Sequence, residues 1–272
     1  MIKVAVVCVN YNSYNEAAAF LDSLEVAKEN CGAFQLDVFM ADNSSRKQDF
    51  ENRWNFNFVV QYFPNIGYFG AAFKIINSID VLKYDYTFIS NVDVCVSSDF
   101  FDTLIHLKTE ENTAWIAPQI YSNYERRDKN PQRLNRLSAR RIKQLLFLYS
   151  HPFIMNIYEK TFYKRKVHTR IHEAGTEIYC GHGSFIILTK EFFKKYTALE
   201  YPCFLYCEEL FLGELIQNAG LKVVYEPSLK VIDDEHISTG QLPSKKYYAF
   251  NLESLRYIYK MFYMKNTSSK NR

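Results

Sequence analysis

The chain has 272 residues, is 48% hydrophobic and 23% charged, and carries a net charge of +3. That is enough apolar chain to bury the core of one large domain or two small ones, and it excludes disordered, collagen-like and disulfide-stapled classes. Aromatic residues reach 17%, with 22 Phe and 21 Tyr against 9 Gly and 7 Pro, so wide aromatic packing and some ligand-stacking surface are expected.

Ile2 to Val9 is short and β-branched, which predicts a strand buried on both faces. Asn10-Tyr11-Asn12-Ser13 ends it. Glu16 to Glu29 has helical spacing, with Ala17, Phe20, Leu21, Leu24 and Ala27 on one stripe. Leu36 to Ala41 and Phe58 to Tyr62 predict two more strands, closed by Asp42-Asn43-Ser44-Ser45 and Pro64-Asn65-Ile66-Gly67. A helix is expected over Gly70 to Leu82 and a strand over Tyr86 to Ser90, running into Asn91-Val92-Asp93. This alternation predicts an α/β fold with a mostly parallel central sheet flanked by helices. Ligands of such sheets bind beyond the carboxyl ends of the strands, where Asn10, Asp42, Asn65 and Asp93 all fall.

Thirteen Lys or Arg stand against three acidic residues between Tyr121 and His172, a local excess of ten positive charges. Apolar clusters (Leu145 to Tyr149, Phe153 to Met155) sit among them. Three readings are open: a solvated helical insertion, contact with an anionic membrane surface, or a polyanion. RNA-binding motif patterns are absent, so nucleic acid ranks last. Downstream, Ile178 to Leu188 reads as a strand region containing Gly181-His182-Gly183-Ser184. A helix starts near Glu208-Glu209 and stops at Gly220. Leu221 to Tyr225 and Leu229 to Ile232 are short strands, Tyr248 to Tyr263 is a helix, and Asn266 to Arg272 is a fraying tail.

The six cysteines include no C-x-x-C pair, and Cys8 and Cys95 lie in apolar runs, which predicts reduced thiols and a cytosolic setting. The apolar start is too short for a signal-peptide core and no stretch is long enough to span a bilayer, so a soluble or peripheral protein is expected. P-loop, G-x-G-x-x-G, G-x-S-x-G and H-E-x-x-H patterns are missing. What remains is an oxygen-rich set at strand ends. Asp93 is placed to bind a divalent ion or to cap the next turn. Asp42 either accepts a pyrimidine N–H or orders an Asx turn. Glu208 and Glu209, beside the aromatic run Tyr201 to Tyr206, offer a general base, or acids that answer the helix dipole. His236 is a metal or phosphate ligand, or an ordinary paired histidine.

In chain order, VAVVCVNYNS (Val4 to Ser13), ADNSS (Ala41 to Ser45), NIGYFGA (Asn65 to Ala71), SNVDV (Ser90 to Val94), GSF (Gly183 to Phe185), FLYCEELFLGEL (Phe204 to Leu215) and VIDDEHIS (Val231 to Ser238) resemble the inverting glycosyltransferases of family 2, in the rhamnosyltransferase-like branch with a GT-A fold. The resemblance implies that Val9, Asn10, Tyr11, Asp42, Asn65, Gly67 and Asn91 bind the nucleotide. It implies that Gly183 and Ser184 border donor sugar and acceptor, that Asp93 and His236 hold Mn²⁺ or Mg²⁺, and that Glu209, with Glu208 beside it, is the catalytic base.

It further implies a UDP- or dTDP-sugar donor and a hydroxyl acceptor on a glycan, carried on a lipid during bacterial surface polysaccharide assembly. The alternative is a nucleotide-sugar-binding protein of this fold that has lost turnover. Asn91 departs from the first acid of the family's Asp-x-Asp motif, and Phe211 stands where a third acid is frequent. Residues 1–240 are expected to form the glycosyltransferase domain, including the insertion at 121–172, and 241–272 a C-terminal helix and basic tail.

Overall fold

A computed structural model describes residues 1–51, 53–161, 172–234 and 244–264. The first half is an alternation of strands and helices. β1 (Lys3–Asn10), α1 (Tyr14–Glu29), β2 (Gln35–Asp42), β3 (Asn57–Tyr62), α2 (Tyr68–Ile76) and β4 (Tyr86–Asn91) follow one another, and β1 to β4 pair in parallel in the order β3-β2-β1-β4. Burial on both faces is explicit in β1. Val4, Val6 and Cys8 enter one apolar cluster with the inner stripe of α1, whereas Ala5, Val7 and Val9 enter the other with Phe69, Phe73 and Ile76 of α2. Period-two alternation places these residues on opposite faces, and helices cover both.

The second half is mixed. It comprises β5 (Val94–Val96), α3 (Phe100–His106), β6 (Thr113–Ser122), β7 (Arg127–Asp128), α4 (Ala139–Ser150), α5 (Pro152–Thr161), β8 (Thr176–Ile178), β9 (Phe185–Thr189), α6 (Lys190–Lys195), α7 (Glu208–Asn218), β10 (Lys222–Asp233) and α8 (Ser244–Ile258). The sheet continues from β4 as β9-β6-β10-β5, with β9 antiparallel to both neighbours and β6 parallel to β10.

Several boundaries differ from the sequence expectation for physical reasons. The helix expected to Leu82 stops at Ile76, where the Asn77 side chain bonds the backbone of Leu199 in both directions, and a separate turn covers Val81–Lys83. Ile178 to Leu188 is two strands, because Gly181-His182-Gly183-Ser184 turns between β8 and β9. The two short strands expected at 221–232 are one, β10, whose register shifts between Glu226 and Lys230 where Pro227 cannot donate to the ladder. β6 and α3 had no counterpart in the sequence reading.

The basic stretch contains the α4–α5 hairpin, which packs on α8 through Ile142, Tyr149, Tyr247 and Tyr248. Residues 162–171 of that stretch, His236 and the tail from 265 lie outside the described residues. All six cysteines are free. Among the described residues, no helix is long and apolar enough to cross a membrane.

Candidate active site

The carboxyl ends of β1, β2 and β4 lie in register, with Asn10 opposite Asp42 and Val9 opposite Asn91. Above them opens a cavity of about 760 Å³ whose wall includes Val9, Tyr11, Asn65, Gly67, Asn91, Asp93, Gly183, Ser184, Glu208 and Glu209. Asn10 and Asp42 stand one layer behind it. Asp42 is 1% exposed and its oxygens are occupied: Asn10 Nδ2 (3.2 Å) and Ser44 N (2.9 Å) donate to Oδ1, and the Tyr14 hydroxyl (2.6 Å) donates to Oδ2. This is an Asx turn that ties β1 to β2 and sets the exit of both strands. Asn43, next along, reaches the cavity and donates to the Gly67 carbonyl at 3.0 Å.

Gly67 is where the nucleotide-side wall meets the loop before α7. Its φ is +85°, and a Cβ there would sit 2.0 Å from the Phe204 carbonyl oxygen. Both backbone strain and overlap therefore exclude a side chain. Gly67→Ala is expected to cost about 2 kcal/mol or more, read as a fall of roughly 5 °C in the thermal midpoint, with weaker nucleotide binding in the same protein.

Asp93 follows β4 and lines the same cavity. Burial and the carboxylate of Asp233 push its carboxyl group up to about 6. Asp233 itself is held by Lys129 at 2.9 Å, both side chains being at most 9% exposed. Asp93 Oδ1 is buried and lacks a hydrogen-bond partner. A carboxylate oxygen left bare in this way fits a hard divalent cation. Among the described residues no group of three or more His, Cys, Asp or Glu gathers around it.

His182 also reaches the cavity; its Nδ1 lies 2.9 Å from Ser184 Oγ, and burial followed by the nearby Lys129 charge pushes its pKa down to about 3. It is thus a neutral ring that orients Ser184. The turn also joins the strands, since Asn91 N donates to Ser184 O at 2.9 Å.

The acidic pair enters from a tight turn. Tyr206 and Cys207 both have positive φ, 74° and 64°, immediately before α7. Two successive non-glycine residues in this region are costly, and they hold the first turn of α7 against the cavity. Glu208 folds back so that Oε1 accepts from its own loop, at Tyr206 N (2.9 Å). Burial first, then the charge of Glu209, raises Glu208 to about 8. Burial raises Glu209 too, but the Arg133 charge and a hydrogen bond from Gln132 oppose it. Burial raises both carboxyls, but only Glu209 has a nearby cation and a side-chain donor to oppose the rise, which favours its ionised form relative to Glu208. Glu209 also faces Gly183, where a Cβ would lie 3.8 Å from Oε2.

The remaining wall is unlike the first. The insertion supplies Arg141, Leu145, Tyr149, Met155 and Tyr158, and α8 supplies Lys246, Tyr247 and Phe250. Tyr206–Tyr247 and Phe204–Phe250 rings pack at 5.1 and 5.0 Å. This half is aromatic and cationic, suited to stacking on sugar faces and to anionic groups. Sequence reasoning did not single out His182, Arg133, Gln132 or the aromatic residues of α8. The position of His182 beside Gly183-Ser184 was a usable signal; Gln132 and Arg133 lie in the segment that matched no pattern.

No protein-family model and no curated protein matches the chain. Solved structures do. GalNAc-T7 with UDP, GalNAc and Mn²⁺ aligns with a TM-score of 0.57 at 14% identity, over 89% of this chain and 45% of its own. Staphylococcus aureus TarS aligns at 0.55 and 11% identity, over 100% and 46%. The mannosyltransferase PcManGT of Pyrobaculum calidifontis, with GDP-Man and Mn²⁺, aligns at 0.51 and 10% identity, over 88% and 58%. The chain spans less than half the length of the first two. At these identities the likeness is one of architecture, and the architecture of this chain is the GT-A glycosyltransferase fold.

Proposed function

We propose that the chain is an inverting glycosyltransferase that moves a hexosyl or rhamnosyl group from a UDP- or dTDP-sugar to a hydroxyl of a glycan acceptor. The acceptor we assign is a lipid-linked bacterial surface polysaccharide, met at the cytosolic face of an anionic membrane. One observation carries the reading. A single cavity holds the bare oxygen of Asp93 on the nucleotide side and the Glu208–Glu209 pair on the acceptor side, with Gly183 and Ser184 between. GalNAc-T7 with UDP, TarS 1–349 with UDP-GlcNAc and PcManGT with GDP-Man support a nucleotide-sugar donor.

In this reading Tyr11, Asn65 and Gly67 line the base pocket, and Asn10 and Asp42 set its floor from behind. Asn91 meets the ribose or diphosphate. Asp93 holds the divalent ion, with His236, outside the described residues, as a second ligand. The ion would supply neutralisation of the charge that develops on the leaving diphosphate. Glu209 accepts the acceptor hydroxyl proton as that oxygen forms its bond to the anomeric carbon. The bond from that carbon to the diphosphate oxygen breaks, and its electron pair leaves with the nucleotide. One displacement from the opposite face inverts the centre.

The test is titration calorimetry with UDP, dTDP and GDP, each with and without Mn²⁺. One pyrimidine diphosphate is expected to bind in a metal-dependent way, and Asp93→Ala is expected to abolish the metal effect. Equal binding of all three, or none, would overturn the donor assignment.

A further inference from the structure

The α4–α5 hairpin has two faces, and only one is used by the cavity. Ile142 is buried, and Leu145, Leu146 and Tyr149 pack on the core beside α8. The outer stripe of α4 is Arg140, Lys143, Gln144 and Phe147, at helical spacing and all exposed. α4 contains no acidic residue. In α5 the arrangement departs further from that of a water-facing helix. Phe153 is 78% exposed, Ile154 39% and Ile157 45%, and Phe147 of α4 is 54% exposed.

These four exposed apolar side chains all fall within the two helices of the hairpin, and α5 buries Met155 without burying Phe153, Ile154 or Ile157. Arg140, Arg141, Lys143, Gln144, Phe147 and Tyr158 also border a shallow second depression on this outer side. A short helix with outward Phe and Ile, beside a stripe whose only charges are positive, has the composition of an interfacial anchor rather than of a solvated face.

We infer that the outer face of the α4–α5 hairpin docks on the surface of a membrane rich in anionic lipid, with Phe147, Phe153 and Ile154 entering the headgroup boundary and Arg140 and Lys143 meeting the lipid phosphates. The inference deepens the proposed function by naming the residues that contact lipid, and it rests on that reading only for the identity of the acceptor. The occupant follows from charge: a stripe with two cations and no acid selects an anionic surface, and a second copy of this basic face would repel the first. The same two helices present Leu145, Tyr149 and Met155 to the cavity. Docking would thus set the acceptor half of the cavity beside the bilayer, where a lipid-carried glycan arrives.

The experiment is sedimentation of the full chain with vesicles of phosphatidylcholine alone and of phosphatidylcholine with phosphatidylglycerol, at low and high salt. Co-sedimentation only with the anionic vesicles, released by salt, is expected. Arg140→Ala/Lys143→Ala should weaken partition about 25-fold, roughly fivefold for each cation. Phe153→Ser/Ile154→Ser should abolish it, while UDP binding in both variants stays at the wild-type value. Absence of sedimentation, or partition indifferent to these substitutions, overturns the inference. So does self-association that Phe153→Ser/Ile154→Ser removes, since the face would then cover a second copy. Because UDP binding is read in the same samples, failure here is separable from failure of the donor assignment.

Discussion

Glu209→Gln is expected to lower sugar transfer by about 10²–10⁴-fold, the range that a lost general base commands, while leaving UDP affinity unchanged. The substitution keeps size and hydrogen-bonding capacity but removes the carboxylate proposed to take the acceptor proton. Glu208→Gln is the paired control. Glu208 is raised to about 8 by burial and by its neighbour, so it is already uncharged at neutral pH and glutamine is its near-isostere. It still accepts from Tyr206 N and should keep most of the turnover. Initial rates with a matched acceptor, together with nucleotide titrations of both variants, check this. If the two substitutions cost the same, the division of roles within the pair is wrong. If neither changes the rate, the base lies elsewhere.

Arg136→Met is expected to cost about 3 kcal/mol, roughly 10 °C in the thermal midpoint, without touching the cavity. Arg136 precedes α4 and grips Glu214 of α7 with two bonds, Nε to Oε1 and a terminal nitrogen to Oε2, both 2.8 Å. The Glu214 side chain is 1% exposed and also receives the Tyr179 hydroxyl at 2.8 Å. Removing the guanidinium leaves a carboxylate in the core with hydroxyl donors but no cation.

Thermal unfolding of the variant against the wild type measures the loss. Arg136→Met/Glu214→Leu should recover most of the loss, because an apolar pair of similar volume needs no charge compensation.

The strand-end half of the cavity was legible in the sequence because its residues sit where local pattern and topology coincide. A β-branched run ends at Asn10, another at Asp42 and a third before Asn91, and parallel pairing brings those ends together without further information. What the pattern could not distinguish was which end residues face the cavity. Asn10 and Asp42 turn their side chains toward each other, a choice settled by the Ser44 amide and the Tyr14 hydroxyl rather than by anything in the strand.

The acceptor half was opaque for a different reason. Arg133 is fixed by backbone bonds with Cys180, 47 positions later, and α8 meets α4 across a still longer gap. Hydrophobic spacing carries no record of such pairings. β6 escaped because its run, Thr113 to Ser122, is interrupted by Pro118 and its central place in the sheet is set by partners on either side. β10 shows the converse: a proline that reads as a strand break is absorbed by a bulge.

The reversed direction of β9 has a consequence for how such a chain can diversify. β6 leaves the sheet at the rim that bears the cavity, and β9, running the other way, re-enters at that same rim. Everything between them is an excursion with both ends anchored beside the cavity. Parts of it are tied down, since β7 pairs with β6, β8 pairs with β10 and Arg136 grips Glu214. Between those ties, length and composition can vary without shifting a ladder hydrogen bond of the four parallel strands, because loop insertions cost little once their ends are fixed. A changed excursion would remodel one wall of the cavity while the ends of the parallel strands keep the other, so the fold behaves as a socket with an exchangeable fitting.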